Sequence, residues 1–317
     1  MNNHPYKVLQ TAPALSIYWK LTDFCNFKCN YCPPVLHAGS YATGKIPGFP
    51  IDNEITKFLA KLENYLLNGR HINLQFGGGE PTLHPLFPEI INRLKHENNF
   101  IGITTNGSRS NDWWKKILPL DTVTISLHPE FTNIEKINSL SKFIISTGTH
   151  LMFNLSCDPA NWEKTIELYN GLNDDLKQFV IPKVLVHLER TTKENYNYTT
   201  EQHKWITQHI TNFRPTVSKK IKQPIIYFED GTSENMNLGK ITINNWNIFK
   251  GWQCKANSQS LMINFNGDIY AGICQVQKLG HISNFELVED DGVICPFDRC
   301  ANHNDLRSEK HKIVGLL

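Results

Sequence analysis

The sequence predicts an α/β protein in which parallel strands form a barrel. Two observations carry this. Strand-like and helix-like segments alternate about six times up to residue 213, and such alternation implies parallel strands joined by right-handed crossovers. Each stretch rich in reactive side chains also falls at the C-terminal end of a strand, where barrels of this type place their sites. With 317 residues, 40% of them hydrophobic, the chain can bury the core of one barrel plus an appendage.

Residues 1–14 read as an irregular lead-in. The apolar run Leu15 to Leu21 is the first strand. It leads into a cysteine loop and a Gly/Pro-rich stretch ending at Pro50. Ile51 to Leu67 has helical spacing, with Ile55, Phe58, Leu59, Leu62, Tyr65 and Leu66 on one side and Asp52 as N-cap. Ile72 to Phe76 is strand-like, and Pro85 to Lys95 is a helix with proline in its first turn. Phe100 to Thr105 is a strand, and Asn111 caps a short amphipathic segment running to Leu118. Then come strand Thr122–Leu127, helix Asn133–Ile145, strand His150–Cys157, helix Trp162–Leu172, strand Pro182–Leu188 and helix Glu201–Phe213.

From about Arg214 the alternation stops, and Pro215, Pro224 and polar runs form a connection. Leu261 to Tyr270 reads as a hairpin turning at Asn266-Gly267. The division expected is a barrel over 1–213, a connection over 214–250 and a cysteine-bearing extension over 251–317.

Composition narrows the function. A net charge of +2 and a pI near 8.1 give no electrostatic case for nucleic acid. The N-terminus has no signal pattern. No apolar run reaches the ~18 residues of a membrane span. A cytoplasmic protein is expected, in which eight cysteines point to metal or redox work.

Cys25, Cys29 and Cys32 form a CxxxCxxC loop. So short a loop can curl three thiolates around one corner of an iron–sulfur cube. Such cubes usually have four cysteine ligands, so three leave one iron open. A zinc site with His37 as fourth ligand, or a disulfide framework in an oxidising compartment, are the alternatives. Downstream, strand Ile72–Phe76 runs into Gly77-Gly78-Gly79-Glu80-Pro81-Thr82. Glycines there let a ligand approach the backbone, and the Glu80 carboxylate would face a cation. An ordinary Gly-rich turn is the plainer reading.

Together, CxxxCxxC and Gly-Gly-Glu at this separation resemble the radical S-adenosylmethionine (SAM) enzymes. The resemblance implies a partial (β/α)6 barrel. It implies a [4Fe–4S] cluster on Cys25, Cys29 and Cys32, whose open iron takes the amino and carboxylate groups of SAM. Gly78, Gly79 and Glu80 match the element that receives that amino group. Thr104, Asn106 and Ser126 lie where the family contacts ribose and carboxylate, although polar residues at strand ends are commonly caps. Tyr31 matches an aromatic position near adenine. Such enzymes cleave SAM reductively to a 5′-deoxyadenosyl radical, which abstracts hydrogen from an unactivated carbon.

Cys254, Cys274, Cys295 and Cys300 resemble the Twitch or shortened SPASM extension of that family. They suffice for one auxiliary [4Fe–4S] cluster with four protein ligands, suited to electron transfer; a zinc knuckle would use the same thiolates. Cys157 is left over at the end of the fifth strand. It is either a buried small hydrophobe or a hydrogen-atom donor for an epimerase. His128, His187, Lys20 and Glu189 lie near strand ends and are assigned no role.

The leading expectation is a radical SAM enzyme that modifies a peptide or small molecule, by epimerisation, crosslinking or dehydrogenation, and takes electrons from a flavodoxin or ferredoxin. With only fourteen residues before the first strand, no leader-binding domain is expected. A sugar, aminoglycoside or nucleoside substrate is the second reading. Methyl transfer is a further possibility within the family. A zinc-bearing structural or RNA-binding module is the non-enzymatic alternative.

Overall fold

The computed structural model describes residues 4–32, 52–185, 196–210, 220–287 and 291–313. His37, His187 and Glu189 lie outside them. The first departure from the sequence reading is at the start, where β1 (Pro5–Leu9) replaces the irregular lead-in.

Six parallel strands then follow one another in sequence and in space: β2 (Ala14–Thr22), β3 (His71–Gly78), β4 (Asn99–Thr105), β5 (Thr122–Leu127), β6 (His150–Cys157) and β7 (Val180–Val184). The crossovers carry α1 (Asp52–Leu67), α2 (Phe87–Leu94), the short α3 (Asn111–Trp114), α4 (Ile134–Ser146), then α5 (Trp162–Gly171) with α6 (Asp174–Lys177). α7 (Thr200–Ile210) follows β7. This is the expected partial barrel, an open crescent with β7 at one edge. Ser110, one residue before the predicted Asn111, caps α3 by accepting from the Trp113 amide at 3.4 Å. Asn133 caps α4, accepting from the Lys136 amide at 2.9 Å.

Strand parity divides the sheet. Leu15, Ile17, Trp19 and Leu21 of β2 and Leu74 and Phe76 of β3 are at most 3% exposed, and they belong to the core shared with the helices. Trp19 meets Phe58 of α1 edge-on at 5.6 Å and stacks on Phe76 at 5.9 Å. The alternate residues, Tyr18, Lys20, Gln75, Thr104, Ser126, Asn154 and Ser156 among them, face a polar lumen. Polar residues therefore alternate with apolar ones in strands covered by helices.

The second half departs more from expectation. α8 (Leu238–Ile243) follows β8 (Ile225–Phe228) and β9 (Ser233–Asn235), all within the expected connection. Next come β10 (Gln253–Cys254), α9 (Ala256–Gln259), β11 (Ser260–Ile263), β12 (Asp268–Ala271), β13 (Gln277–His281), β14 (Val293–Ile294), α10 (His303–Leu306) and β15 (Lys310–His311). β11 pairs parallel to β2, and β12 and β13 extend the same sheet antiparallel, making nine strands. The other six strands form a second sheet in the order β14-β10-β15-β1-β8-β9. Val8, Ile226, Phe228, Phe249, Trp252 and Leu306 pack its separate core. The N-terminal strand and the C-terminal strands share one sheet, and the extension's hairpin completes the barrel edge. Local patterning cannot foresee such long-range pairing.

Candidate active site

The cysteine loop leaves β2 directly. Thr22 Oγ1 accepts from the Phe24 amide at 3.0 Å, and the Cys32 amide donates to the Cys29 carbonyl at 3.1 Å. The glycine loop after β3 is bonded to the loop's stem: Gly79 N donates to Thr22 O at 2.8 Å and Glu80 N to Phe24 O at 2.7 Å. A Cβ on Gly79 would stand 2.2 Å from Phe24 O, and one on Gly78 (φ +118°) would stand 2.5 Å from Thr22 O. The glycines are thus required first for the approach of the protein's own cysteine loop, a refinement of the expectation that they admit a ligand.

Glu80 is 1% exposed. Its carboxylate accepts from Thr82 N (3.1 Å), Thr82 Oγ1 (2.6 Å), Thr105 Oγ1 (2.8 Å) and Asn106 N (2.6 Å). Burial pushes its pKa up while these bonds pull it down. These bonds lock the glycine loop to the end of β4. Buried acceptors are seldom left unbonded, and neutral donors serve here. Thr82 and Thr105 were missed by sequence reasoning. Thr82 sits in the Gly-Gly-Glu-Pro-Thr run and could have been read as a local cap of Glu80, as it proves to be.

Cys25, Cys29, Cys32, Gly78, Gly79, Glu80, Thr104, Asn106 and Ser126 line one cavity of about 160 Å³. Tyr18, Phe27, Gly77, Thr105 and His128 complete it. Asn106 Nδ2 donates to Asn26 Oδ1 at 2.8 Å and to Cys25 Sγ at 3.8 Å, and the Phe27 amide donates to the same sulfur at 3.4 Å. Burial raises the Cys25 thiol, while the Cys29 thiol is raised by its bond with Cys32 and then by burial. Amide donors aimed at a sulfur are the contacts that tune an iron–sulfur cluster.

Tyr31 is beside this cavity rather than in its wall. Its hydroxyl is 2.6 Å from His128 Nδ1, its ring stacks on His128 at 6.0 Å, and Ser156 bonds to it as well. Burial pushes His128 down to about 4, so this ring is neutral at ordinary pH. His128, left without a role by the sequence, is an aromatic wall that holds the cysteine loop through Tyr31 and, edge-on at 5.9 Å, through Phe27.

Cys157 is not brought to the cavity. It is 0% exposed, and it falls on the face of β6 that carries Leu151, Phe153 and Leu155 into the core. Ser156 beside it takes the lumen face. Burial pushes the Cys157 thiol up to about 12. Period-two geometry thus sets the Cys157 thiol on the core face of β6, apart from the cavity.

The four remaining cysteines are gathered. Cys254 is paired in β10, Cys274 follows β12, and Cys295 and Cys300 follow β14. Cys254 and Cys300 stand near enough to Cys274, and Cys254 and Cys295 near enough to Cys300, to make ionising either thiol harder. Burial pushes Cys274 up to about 12 and Cys300 to about 11. The Asp305 carboxylate, 2% exposed, accepts from the Ile273 amide (2.8 Å), the Cys274 amide (2.9 Å) and Ser260 Oγ (2.7 Å). It pins the Cys274 turn to the barrel edge. Among the described residues no three His, Cys, Asp or Glu side chains stand as the ligands of a single metal ion would.

Residues 19–172 match the family model of the radical SAM superfamily. The chain carries a radical SAM domain. The domain spans both the cysteine loop and the glycine loop. Among curated proteins, a Methanocaldococcus jannaschii protein named for glycyl-radical enzyme activation is 33% identical over 107 residues, 34% of this chain and 37% of that protein. A GTP 3′,8-cyclase of Clostridium acetobutylicum is 31% identical over 169 residues, 50% of this chain and 49% of that protein. The matches thus span less than half of each relative. Among solved structures, anSMEcpe with bound AdoMet aligns at TM-score 0.52 and 17% identity, covering 86% of this chain and 78% of that one. Streptococcus suis SuiB bound to S-adenosylmethionine aligns at TM-score 0.50 and 16% identity, covering 87% and 65%. At such identity these two establish shared fold. No described helix is long and apolar enough to cross a membrane.

A radical SAM domain implies a [4Fe–4S] cluster and bound SAM, and the residues present fit both. Three thiols and two sulfur-directed N–H donors converge on one cavity, beside a glycine loop without side chains.

Proposed function

We propose that this chain is a radical SAM enzyme that abstracts hydrogen from a C–H bond of a peptide or small molecule. The observation carrying this is the single cavity that joins Cys25, Cys29 and Cys32 to the Gly78–Glu80 loop and to Thr104, Asn106 and Ser126. When bound there, the cluster and SAM supply a 5′-deoxyadenosyl radical. Cys25, Cys29 and Cys32 would hold the cluster. Gly78 and Gly79 would offer backbone to the methionine end of SAM, with Glu80 fixing their position from behind. Thr104, Asn106 and Ser126 would contact its ribose and carboxylate. Tyr31 and His128 would shield the site with their paired rings and exclude water.

Cys254, Cys274, Cys295 and Cys300 would hold a second, fully ligated [4Fe–4S] cluster for electron transfer. Their mutual charge interactions around the Asp305-bound turn support this reading. The division of labour follows: residues 19–172 run the radical step, and the cysteine-bearing extension passes electrons, with a flavodoxin or ferredoxin as outside donor. A peptide substrate is supported by the fold shared with anSMEcpe, which has been solved with AdoMet and a Kp18Cys peptide at TM-score 0.51. A nucleotide or sugar substrate is favoured by the stretch shared with GTP 3′,8-cyclase. A site in the cytoplasm is in keeping with either.

The test is anaerobic reconstitution with iron and sulfide, then reduction in the presence of SAM. Formation of 5′-deoxyadenosine is expected, lost on replacing any of Cys25, Cys29 or Cys32 by alanine. No cleavage in loaded protein, or full cleavage in those variants, sinks the proposal. S-adenosylhomocysteine as the product would mean methyl transfer instead.

A further inference from the structure

Gly77 is a glycine for which its own backbone gives no reason. Its φ is outside the left-handed region, and it lies on the lumen face of β3, where the register pairs it with Lys20 of β2. A Cβ there would stand 2.2 Å from Tyr18 Oη and 2.8 Å from Tyr18 Cζ. Atoms do not pack that closely, so the missing side chain is the seat of the Tyr18 ring. Tyr18 is rooted on β2 opposite Gln75, one lumen position before Gly77. Its ring therefore leans along the sheet toward the glycine loop. Its hydroxyl ends over Gly77, in the wall of the cavity lined by Cys25, Cys29 and Cys32.

Two other tyrosine hydroxyls near the inner strand ends are satisfied. Tyr31 meets His128 Nδ1 at 2.6 Å; Tyr198 donates to Cys157 O at 2.5 Å and accepts from the Leu185 amide at 2.9 Å. Among the described residues Tyr18 Oη has no such partner, and burial alone acts on it. Burial pushes its pKa up, so the phenol keeps its proton and remains a neutral donor. Glu80, the carboxylate of this cavity, is already filled by Thr82, Thr105 and Asn106. A donor that faces a cavity is satisfied by what the cavity binds.

We propose that Tyr18 is a further SAM-binding residue, its hydroxyl donating to the methionine end of the cofactor while Gly77 leaves room for its ring. Place assigns that end. Gly77 immediately precedes Gly78 and Gly79, whose backbone is the part offered to methionine, and a carboxylate is a strong acceptor for a neutral phenol. The inference rests on reading this cavity as the SAM site.

The test is calorimetric titration of the full, cluster-loaded chain with SAM and, separately, with 5′-deoxyadenosine, both without reductant. Tyr18→Phe keeps the ring and removes only the hydroxyl. It should weaken SAM binding about three- to tenfold, the scale of one hydrogen bond. It should leave 5′-deoxyadenosine binding, iron content and thermal unfolding unchanged. Gly77→Ala should weaken SAM at least as much, because the ring must leave its seat. In a Tyr18→Ala background that seat is empty, so Gly77→Ala should add little. Wild-type SAM affinity in Tyr18→Phe overturns the proposal. Equal losses for SAM and 5′-deoxyadenosine would move the hydroxyl to the nucleoside half and overturn the methionine assignment. A full further loss from Gly77→Ala in the Tyr18→Ala background would mean that its methyl group blocks the ligand directly, overturning the role given to Gly77. If the loaded wild-type chain binds no SAM, the reading of the cavity falls and this inference falls with it; wild-type binding with an unaffected Tyr18→Phe counts against this inference alone.

Discussion

Asn106 and Glu80 show how much one residue can be asked to do. Asn106 gives its backbone N–H to Glu80 and its side chain to Asn26 and the Cys25 sulfur. Glu80 accepts four bonds and leaves no room for a second duty on Oε1. Glu80→Ala would strand buried donors of Thr82, Thr105 and Asn106, at a cost on the order of 3 kcal/mol. Chemical denaturation should register that loss, and iron content after reconstitution should fall with it. His84, 1% exposed, has its pKa pushed down from 6.5 to about 4 by burial. Below pH 6.5 the unfolded chain takes up a proton that the folded chain refuses, so stability should fall as pH drops from 6.5 toward 4, by on the order of 2 kcal/mol. Thermal melts across that range, compared with His84→Leu, should show a shallower slope in the variant.

Among the elements, the two loops after β2 and β3 behave as one unit. Gly79→Ala would push a methyl group to 2.2 Å from Phe24 O, closer than real contacts allow. The cysteine loop would have to move, so this variant should lose most bound iron and at least about tenfold in 5′-deoxyadenosine formation while β3 stays folded. The Cys274 turn depends in the same way on α10 through Asp305. Asp305→Asn would leave one of these amides facing an NH₂ group. On the proposed two-cluster reading, iron analysis of this variant should fall from two clusters' worth toward one, with the proposed SAM-cleaving cluster retained. Cys157→Ala, by contrast, should change stability by only about 1 kcal/mol and leave the product unaltered, because the thiol faces the helices.

Across the whole molecule, the second sheet ties the chain's beginning to its end. β1 lies between β15 and β8, and Val8 is 0% exposed in the smaller core. Val8→Asp would bury a charge there and should cost on the order of 3 kcal/mol, opening 225–254 to limited proteolysis while the barrel resists. That sheet carries Cys254, so the proposed second cluster depends on the first strand of the chain, although nothing near residue 8 suggests it.

The sequence by itself determined the six β/α units, within one to three residues at most described boundaries, because apolar periodicity and the register of strands with helices are local properties. It also marked the cysteine and glycine loops, whose chemistry depends on spacing a few residues long. Only the tertiary structure decided the rest. Strand parity sent Cys157 outward and Ser156 inward. Four protein donors, from Thr82, Thr105 and Asn106, made Glu80 the anchor of the glycine loop. Pairing between residues 5–9, 225–235 and 310–311 built a sheet where a lead-in and a linker were expected. These depend on partners tens to hundreds of residues apart, and a sequence read in windows holds no record of which distant group will arrive.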